Sequence, residues 1–235
     1  TRYLHEAVVE LGEMLAAKLP DGLDVCMFVC TGTEANDLAM QIARHVSGNH
    51  GGVVTEASYH GNSDLVLKLS TDIYPPEDRP DWLAVIEPPN VYRGPFTRED
   101  EDAGEHYLEM ARRELDALGA RGHKPAALVI DTVWDSNGPL VAPAGYPKAL
   151  CAEIRARGGL VIADEVQAGY CRTGTSWWGF EYYGFVPDIV TTGKPAGAGH
   201  PLAMVATTRE IAEEFARKYS YFNTFGGNPV SAQVG

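Results

Sequence analysis

Seven short, nearly continuous apolar runs recur along this chain, mostly with helical patterns between them, and that alternation constrains the fold more than any other feature. The runs cover residues 25–30, 52–55, 82–86, 126–130, 160–163, 189–192 and 204–207. A strand that lacks polar–apolar alternation is one that buries both faces. Helical patterns at 35–46, 103–118, 147–157 and 210–218 can supply the two covering layers. Leu4, Val8, Leu11, Leu15 and Leu19 add a first amphipathic helix ending before Pro20. The expected architecture is a three-layer α/β/α sandwich around a mostly parallel sheet of about seven strands. With 235 residues, 45% of them hydrophobic, the chain can bury one large core, and we expect a single domain over 1–235. Segment 70–102 breaks the pattern. It carries Pro75, Pro76, Pro80, Pro88, Pro89 and Pro95 around one embedded strand, and is expected to be a long surface excursion over a site.

Charge and cysteine usage narrow the function classes. A formal net charge of −13 argues against nucleic acid or an anionic membrane as the main partner, since both require Lys/Arg clusters. No apolar run approaches the roughly 20 residues of a membrane span, and the N-terminus is amphipathic, unlike a signal peptide. Cys26, Cys30, Cys151 and Cys171 follow no metal or disulfide spacing. No metal site is expected; three of the four lie in or beside apolar segments and read as small buried hydrophobes, which suits a reduced, cytoplasmic protein. The chain begins inside a helical pattern and stops at "NPVSAQVG" as another begins, so a domain cut from a longer polypeptide is expected.

In open parallel sheets, ligands gather at the carboxyl ends of strands, so the residues after each run carry the functional question. "TGTEAN" follows the first run. Thr31 can cap the next helix with Glu34 completing a capping box, and free amides at Gly32, Thr33 and Glu34 would suit a phosphate. Asp164 ends the fifth run, where an ionised carboxylate is costly without a positive or protonated partner. It can hold a proton on a heteroaromatic nitrogen, with Gln167 reaching another polar atom of the same ligand. Lys194 follows the sixth run inside "TTGKPAGAGH". Burial there would disfavour its ammonium form and make it an imine-forming nucleophile. Each feature alone has an ordinary structural explanation: a capped helix, a salt bridge, a paired lysine. Together, a phosphate cradle, a strand-end Asp and a strand-end Lys suit pyridoxal 5′-phosphate, with Tyr59 as a stacking face.

The stretches "TGTEAND", "SYHG", "PAGYPKALCAEIRARGGLVIADEVQAGYCRTG", "PDIVTTGKPAGAGHPLA" and "FNTFGGNP" resemble those of the class III (subgroup II) aminotransferases, which are fold type I pyridoxal-phosphate enzymes. The resemblance implies that Lys194 is the Schiff-base lysine and Asp164 the partner of the pyridine nitrogen. It implies that Val166 packs on the ring opposite Tyr59, that Gln167 contacts the ring hydroxyl, and that Gly32 and Thr33 cradle the phosphate. His60 matches in a packing or supporting role. Thr224 resembles the threonine that reaches the cofactor phosphate of a neighbouring subunit, which implies a homodimer with shared active sites. The chain departs from the family at the end of the fourth run. Asp131-Thr132 stands where a Glu-Pro or Glu-Ser pair is common, with Trp134 close by, and this puts the usual dicarboxylate-switching arrangement in doubt. The family's N-terminal arm and small C-terminal domain have no counterpart in this sequence.

The resemblance implies an aminotransferase acting on a small amine or amino acid and a keto acid. The alternative is a phospho-lyase acting by β-elimination on a phosphorylated amine. "GKPAGAGHPLA", "PPNVYRGPF" and "YFNTFGGNPVS" are similar to the branch containing ethanolamine-phosphate and phosphohydroxylysine phospho-lyases. Yet Trp134-Asp135-Ser136-Asn137-Gly138 replaces that branch's Gln-Ser-Cys-Gly-Gly, and Asp135 is ill suited to a phosphate pocket. A third alternative is a non-catalytic pyridoxal-phosphate-binding module, against which the intact Lys, Asp and Gln argue.

Overall fold

The computed structural model describes residues 3–235. Its strands are β1 (Val25–Val29), β2 (Gly51–Thr55), β3 (Leu83–Ile86), β4 (Pro125–Asp131), β5 (Leu160–Asp164), β6 (Ile189–Thr192) and β7 (Ala203–Thr207). They form one sheet in the order β1-β7-β6-β5-β4-β2-β3. All pairings are parallel except those of β7, which runs antiparallel to both β1 and β6. The longer helices are α1 (Glu6–Ala16), α2 (Gly32–Ser47), α4 (Ala103–Ala120), α5 (Tyr146–Ala156) and α7 (Arg209–Ala216). Short helices α3 (Asp64–Leu67), α6 (Gly179–Tyr182) and α8 (Pro229–Val234) fill the connections.

Two apolar clusters flank the sheet. Leu128, Ile130, Val161 and Ala163 face one cluster with α1, α4 and α5, which contribute Leu11, Leu115 and Leu150. The intervening residues Val129 and Ile162 face the other, with Leu38, Met40 and Ile42 of α2 and Phe215 of α7. Alternate residues of each strand thus enter opposite layers, which is why the runs show no polar positions. Each of these large side chains stabilises the fold by about 1.5–3 kcal/mol when fully buried.

Helix α2 begins three residues before the sequence pattern. Its first turn holds no large apolar residue; Thr31 defines the start by accepting from the Glu34 amide at 3.1 Å. The capping box closes one residue further out than expected, since Glu34 Oε2 accepts from the Cys30 amide at 2.6 Å. Of the excursion at 70–102, Asp72 lines the site described below. The rest packs elsewhere around β3, with Tyr107 Oη donating to the carbonyls of Asn90 and Phe96.

The cysteines are all unpaired, but only Cys151 is fully buried. Burial pushes the Cys26 thiol up to about 11 and Cys151 up to about 12. Cys26 and Cys30 are only partly buried, and Cys171 is exposed in the turn after Tyr170, outside the apolar segments that hold the other three. No helix among the described residues is long and apolar enough to cross a membrane, and no His/Cys/Asp/Glu group among them could hold a metal ion.

Candidate active site

A cleft of about 360 Å³ opens at the carboxyl ends of the parallel strands. Gly32 and Thr33 enter it from the start of α2, Tyr59 and His60 from the loop after β2, Asp131 from β4, Asp164, Val166 and Gln167 from β5 and its turn, and Lys194 from the turn after β6. The topology therefore gathers eight of the nine sequence-expected positions. Thr224 is the exception: it is exposed in a turn before α8 and does not line this cleft.

Asp164 is the best-held group. Its side chain is buried, with Oδ1 accepting from the Val166 amide at 3.1 Å. Oδ2 accepts from Asn36 Nδ2 at 2.8 Å and lies 2.8 Å from His60 Nδ1. An ionised carboxylate only accepts, so the His60 proton at this contact sits on Nδ1. His60 Nε2 is buried with no partner. Asn36 was not singled out from the sequence. It was legible as the one amide among Ala35, Leu38, Ala39, Met40, Ile42 and Ala43, the other buried residues of α2.

Lys194 differs from expectation. Residues 189–193 are buried, but Lys194 itself is exposed at the cleft, because it opens a single 3₁₀ turn where the chain leaves the sheet. Its φ of 26° places a non-glycine residue in the left-handed region, a strained state that clusters at functional sites. Among the described residues, no carboxylate lies within ion-pair distance of its amine, although four aspartates line the cleft. Among the described residues, Lys194 is therefore not the simply paired lysine of the ordinary structural explanation.

The α2 amides of Gly32 and Thr33 have no acceptor among the described residues, while the Glu34 amide is taken by Thr31. Two amides, not three, remain for an anion. Position 32 is tightly packed: a Cβ there would lie 3.0 Å from Val166 Cγ2, and the valine would have to give by a few tenths of an ångström. Gly61, at φ 140°, brings the Tyr59–His60 loop against this turn; a Cβ there would lie 2.7 Å from Thr33 Oγ1. Gln167 Nε2 donates to Asp135 Oδ2 at 2.6 Å, so its amide is held across the cleft by the loop after β4. Trp134, placed near the site by sequence, turns into the core beside Tyr183 and does not line the cleft.

Two further carboxylates sit at these strand ends. Asp131 pairs in register with Asp164 and accepts from the amides of Val133 and Asp135. Burial, then the charge of Asp164, push it up to about 6. Glu165 points behind the cleft, where it accepts from Thr132 Oγ1 and from the amides of Gly179 and Phe180. Burial pushes it up to about 7 despite these three donors. Both values exceed the unfolded carboxyl range near 4, so the folded state binds more protons between about pH 4 and 7. Their contribution to stability is complete below the unfolded values and is lost as pH rises through about 6 to 7. We expect the urea midpoint of the cofactor-free protein to fall from pH 5 to pH 8, with a shallower fall in Glu165→Gln. Equal slopes for both proteins would contradict the assignment.

The residues fit the cofactor that the sequence suggested. An unpaired primary amine, a buried carboxylate held by fixed donors, two free helix-start amides and an apolar Val166 wall share one cleft. They match an aldehyde, a protonated ring nitrogen, a phosphate and a flat ring. The fold and this constellation define the class: a fold type I pyridoxal-phosphate-binding domain. Residues 2–235 match the model of the family Aminotransferase class-III, and the chain belongs to that family of pyridoxal-phosphate enzymes. It is 39% identical to an alanine–glyoxylate aminotransferase 2-like protein of Drosophila melanogaster, over 99% of this chain and 49% of that protein. It is 36% identical to ethanolamine-phosphate phospho-lyase homolog 1 of Caenorhabditis elegans, over 98% of this chain and 52% of that protein. Among solved structures, a phospholyase from Arthrobacter in complex with phosphoethanolamine is similar with a TM-score of 0.94 and 38% identity, covering 100% of this chain and 56% of that one. The chain spans about half the length of the curated relatives it matches.

Proposed function

We propose that this chain is the cofactor-binding large domain of an aminotransferase that moves an amino group between an amine or amino acid and a keto acid. The observation that carries the reading is the unpaired amine of Lys194 sharing a cleft with the buried carboxylate of Asp164, which is held by Asn36, His60 and the Val166 amide. Bound pyridoxal phosphate supplies an aldehyde that condenses with amines and a ring that accepts electrons from the substrate's α-carbon. Lys194 would hold the cofactor through its amine and would serve as the group that moves the proton at the substrate α-carbon. Asp164 holds the proton on the ring nitrogen. Gly32 and Thr33 bind the phosphate through their amides, and Val166 and Tyr59 orient the ring. Gln167, already fixed by Asp135, would orient the ring hydroxyl, and His60 would support Asp164 through the contact of Nδ1 with Oδ2.

Aminotransfer is favoured over elimination by the charge of the cleft. Asp72, Asp131, Asp135 and Asp164 line it, and among its described lining residues Lys194 is the sole Lys or Arg. A protonated amine is attracted there, whereas a substrate phosphate beside the cofactor's own meets four carboxylates. The likeness to the Arthrobacter phospholyase favours the second reading, a β-eliminating phospho-lyase. Incubating full-length protein with phosphoethanolamine, and with a panel of amino donors and keto acids, separates the two. The expected result is acceptor-dependent amine transfer without phosphate release; rapid phosphate release without a keto acid selects the lyase.

Thr224 is read as reaching a second subunit's cofactor phosphate in a homodimer. That is supported by its exposure away from its own cleft, beside exposed Phe222 and Phe225. A reducing, cytoplasmic location is supported by the four unpaired cysteines.

A further inference from the structure

Asn36 occupies a position that helix energetics alone would fill with alanine. It stands among buried small and apolar residues of α2 and is itself 2% exposed. Asparagine is a poorer helix former than alanine, and a buried amide is costly unless its hydrogen bonds are made. Here they are made on three sides. Nδ2 donates to Asp164 Oδ2 and to the His60 carbonyl, both at 2.8 Å. Oδ1 accepts from Thr191 Oγ1 at 2.6 Å. The Thr191 hydroxyl and the His60 carbonyl fix which end of the amide faces Asp164. Reversing the amide would set its oxygen against a carbonyl and a carboxylate oxygen together, and its NH₂ against the threonine.

We propose that Asn36 is a positioning residue, oriented by Thr191, that holds the Asp164 carboxylate from one side and aims it at the ring nitrogen of the bound cofactor. A neutral donor of fixed direction suits this task, because it stabilises the anion without cancelling its charge. A lysine or arginine in its place would satisfy Asp164 internally and leave little field for the ring. His60 alone does not replace it. His60 bonds the same oxygen, and its free Nε2 leaves the ring with no second hydrogen bond to hold it. The carboxylate also needs such a donor because of its neighbours: Asp131 lies beside it on β4, and Asp72 and Asp135 line the same cleft, against Lys194 from the turn after β6.

The inference rests on the reading of Asp164 as the ring-nitrogen partner, and the test distinguishes the two. The dissociation constants of pyridoxal phosphate and of its deaza analogue, in which C–H replaces the ring nitrogen, are measured by absorbance titration of the wild type and of Asn36→Leu. The wild type is expected to prefer the natural cofactor by about tenfold or more, the worth of a charge-assisted hydrogen bond. In Asn36→Leu that preference should shrink about tenfold while affinity for the analogue stays the same. Thr191→Val, which keeps the strand and removes only the orienting hydroxyl, should shrink it about two- to threefold. A merely structural Asn36 would weaken both ligands equally and leave the ratio intact, which overturns the proposal. If the wild type shows no preference, the role of Asp164 fails first and this proposal falls with it. Should Asn36→Leu not fold, an unchanged ratio in Thr191→Val overturns it equally.

Discussion

Replacing Lys194 with alanine is expected to lower amine-transfer turnover by about 10³-fold or more while leaving the protein folded. The side chain is exposed and makes no hydrogen bond or ion pair among the described residues, so the fold loses little when it is removed. Catalysis loses a positioned proton-transfer group, by itself worth about 10²–10⁴-fold, together with the covalent anchor. Lys194→Arg separates these effects from charge. It keeps a cation at the cleft but has no amine that can condense or give up its proton near neutrality, and should be about as inactive as the alanine variant. Steady-state turnover of the full-length variants checks both; an arginine variant within tenfold of wild type would mean that Lys194 contributes only charge.

Asp164→Asn is expected to cost about 10²–10³-fold in turnover, the range seen when a preorganised charge-stabilising group is removed. The replacement is nearly isosteric, so packing around β5 should survive. The chemistry reverses, however. Asn36 and His60 both aim donors at Oδ2, and an amide turned to accept from them presents only an NH₂ to the ring, which cannot hold a proton on its nitrogen. Comparing kcat with the cofactor dissociation constant tests this. A loss confined to cofactor affinity, recovered at saturating cofactor, would contradict a role for Asp164 in the reaction.

How much of this could be read from residues alone varied with the signal behind each feature. Strand β6 matched its expected bounds because Asp188 and Gly193 bracket an uninterrupted β-branched run. The start of α2 was placed late because the apolar pattern begins at Ala35, whereas the cap at Thr31 decides where the helix starts. Asp164, Gly32 and Lys194 were legible because each breaks a local rule at a strand end. The exposure of Lys194 was not, since it depends on a 3₁₀ turn lifting the chain off the sheet. Asn36 escaped notice because its significance lies in partners 24, 128 and 155 residues away. The Asp131–Asp164 juxtaposition likewise arises only from parallel register. Local chemistry was readable; long-range pairing was not.

The central claim is that the amine of Lys194 is where this protein holds its cofactor. Full-length protein loaded with pyridoxal phosphate can be reduced with borohydride, digested, and mapped by mass spectrometry. The account predicts one modified peptide, spanning "TTGKPAGAGH", with the added mass on Lys194 and no modification in Lys194→Arg. Stoichiometric labelling at Lys18, Lys68, Lys124, Lys148 or Lys218 instead would contradict it.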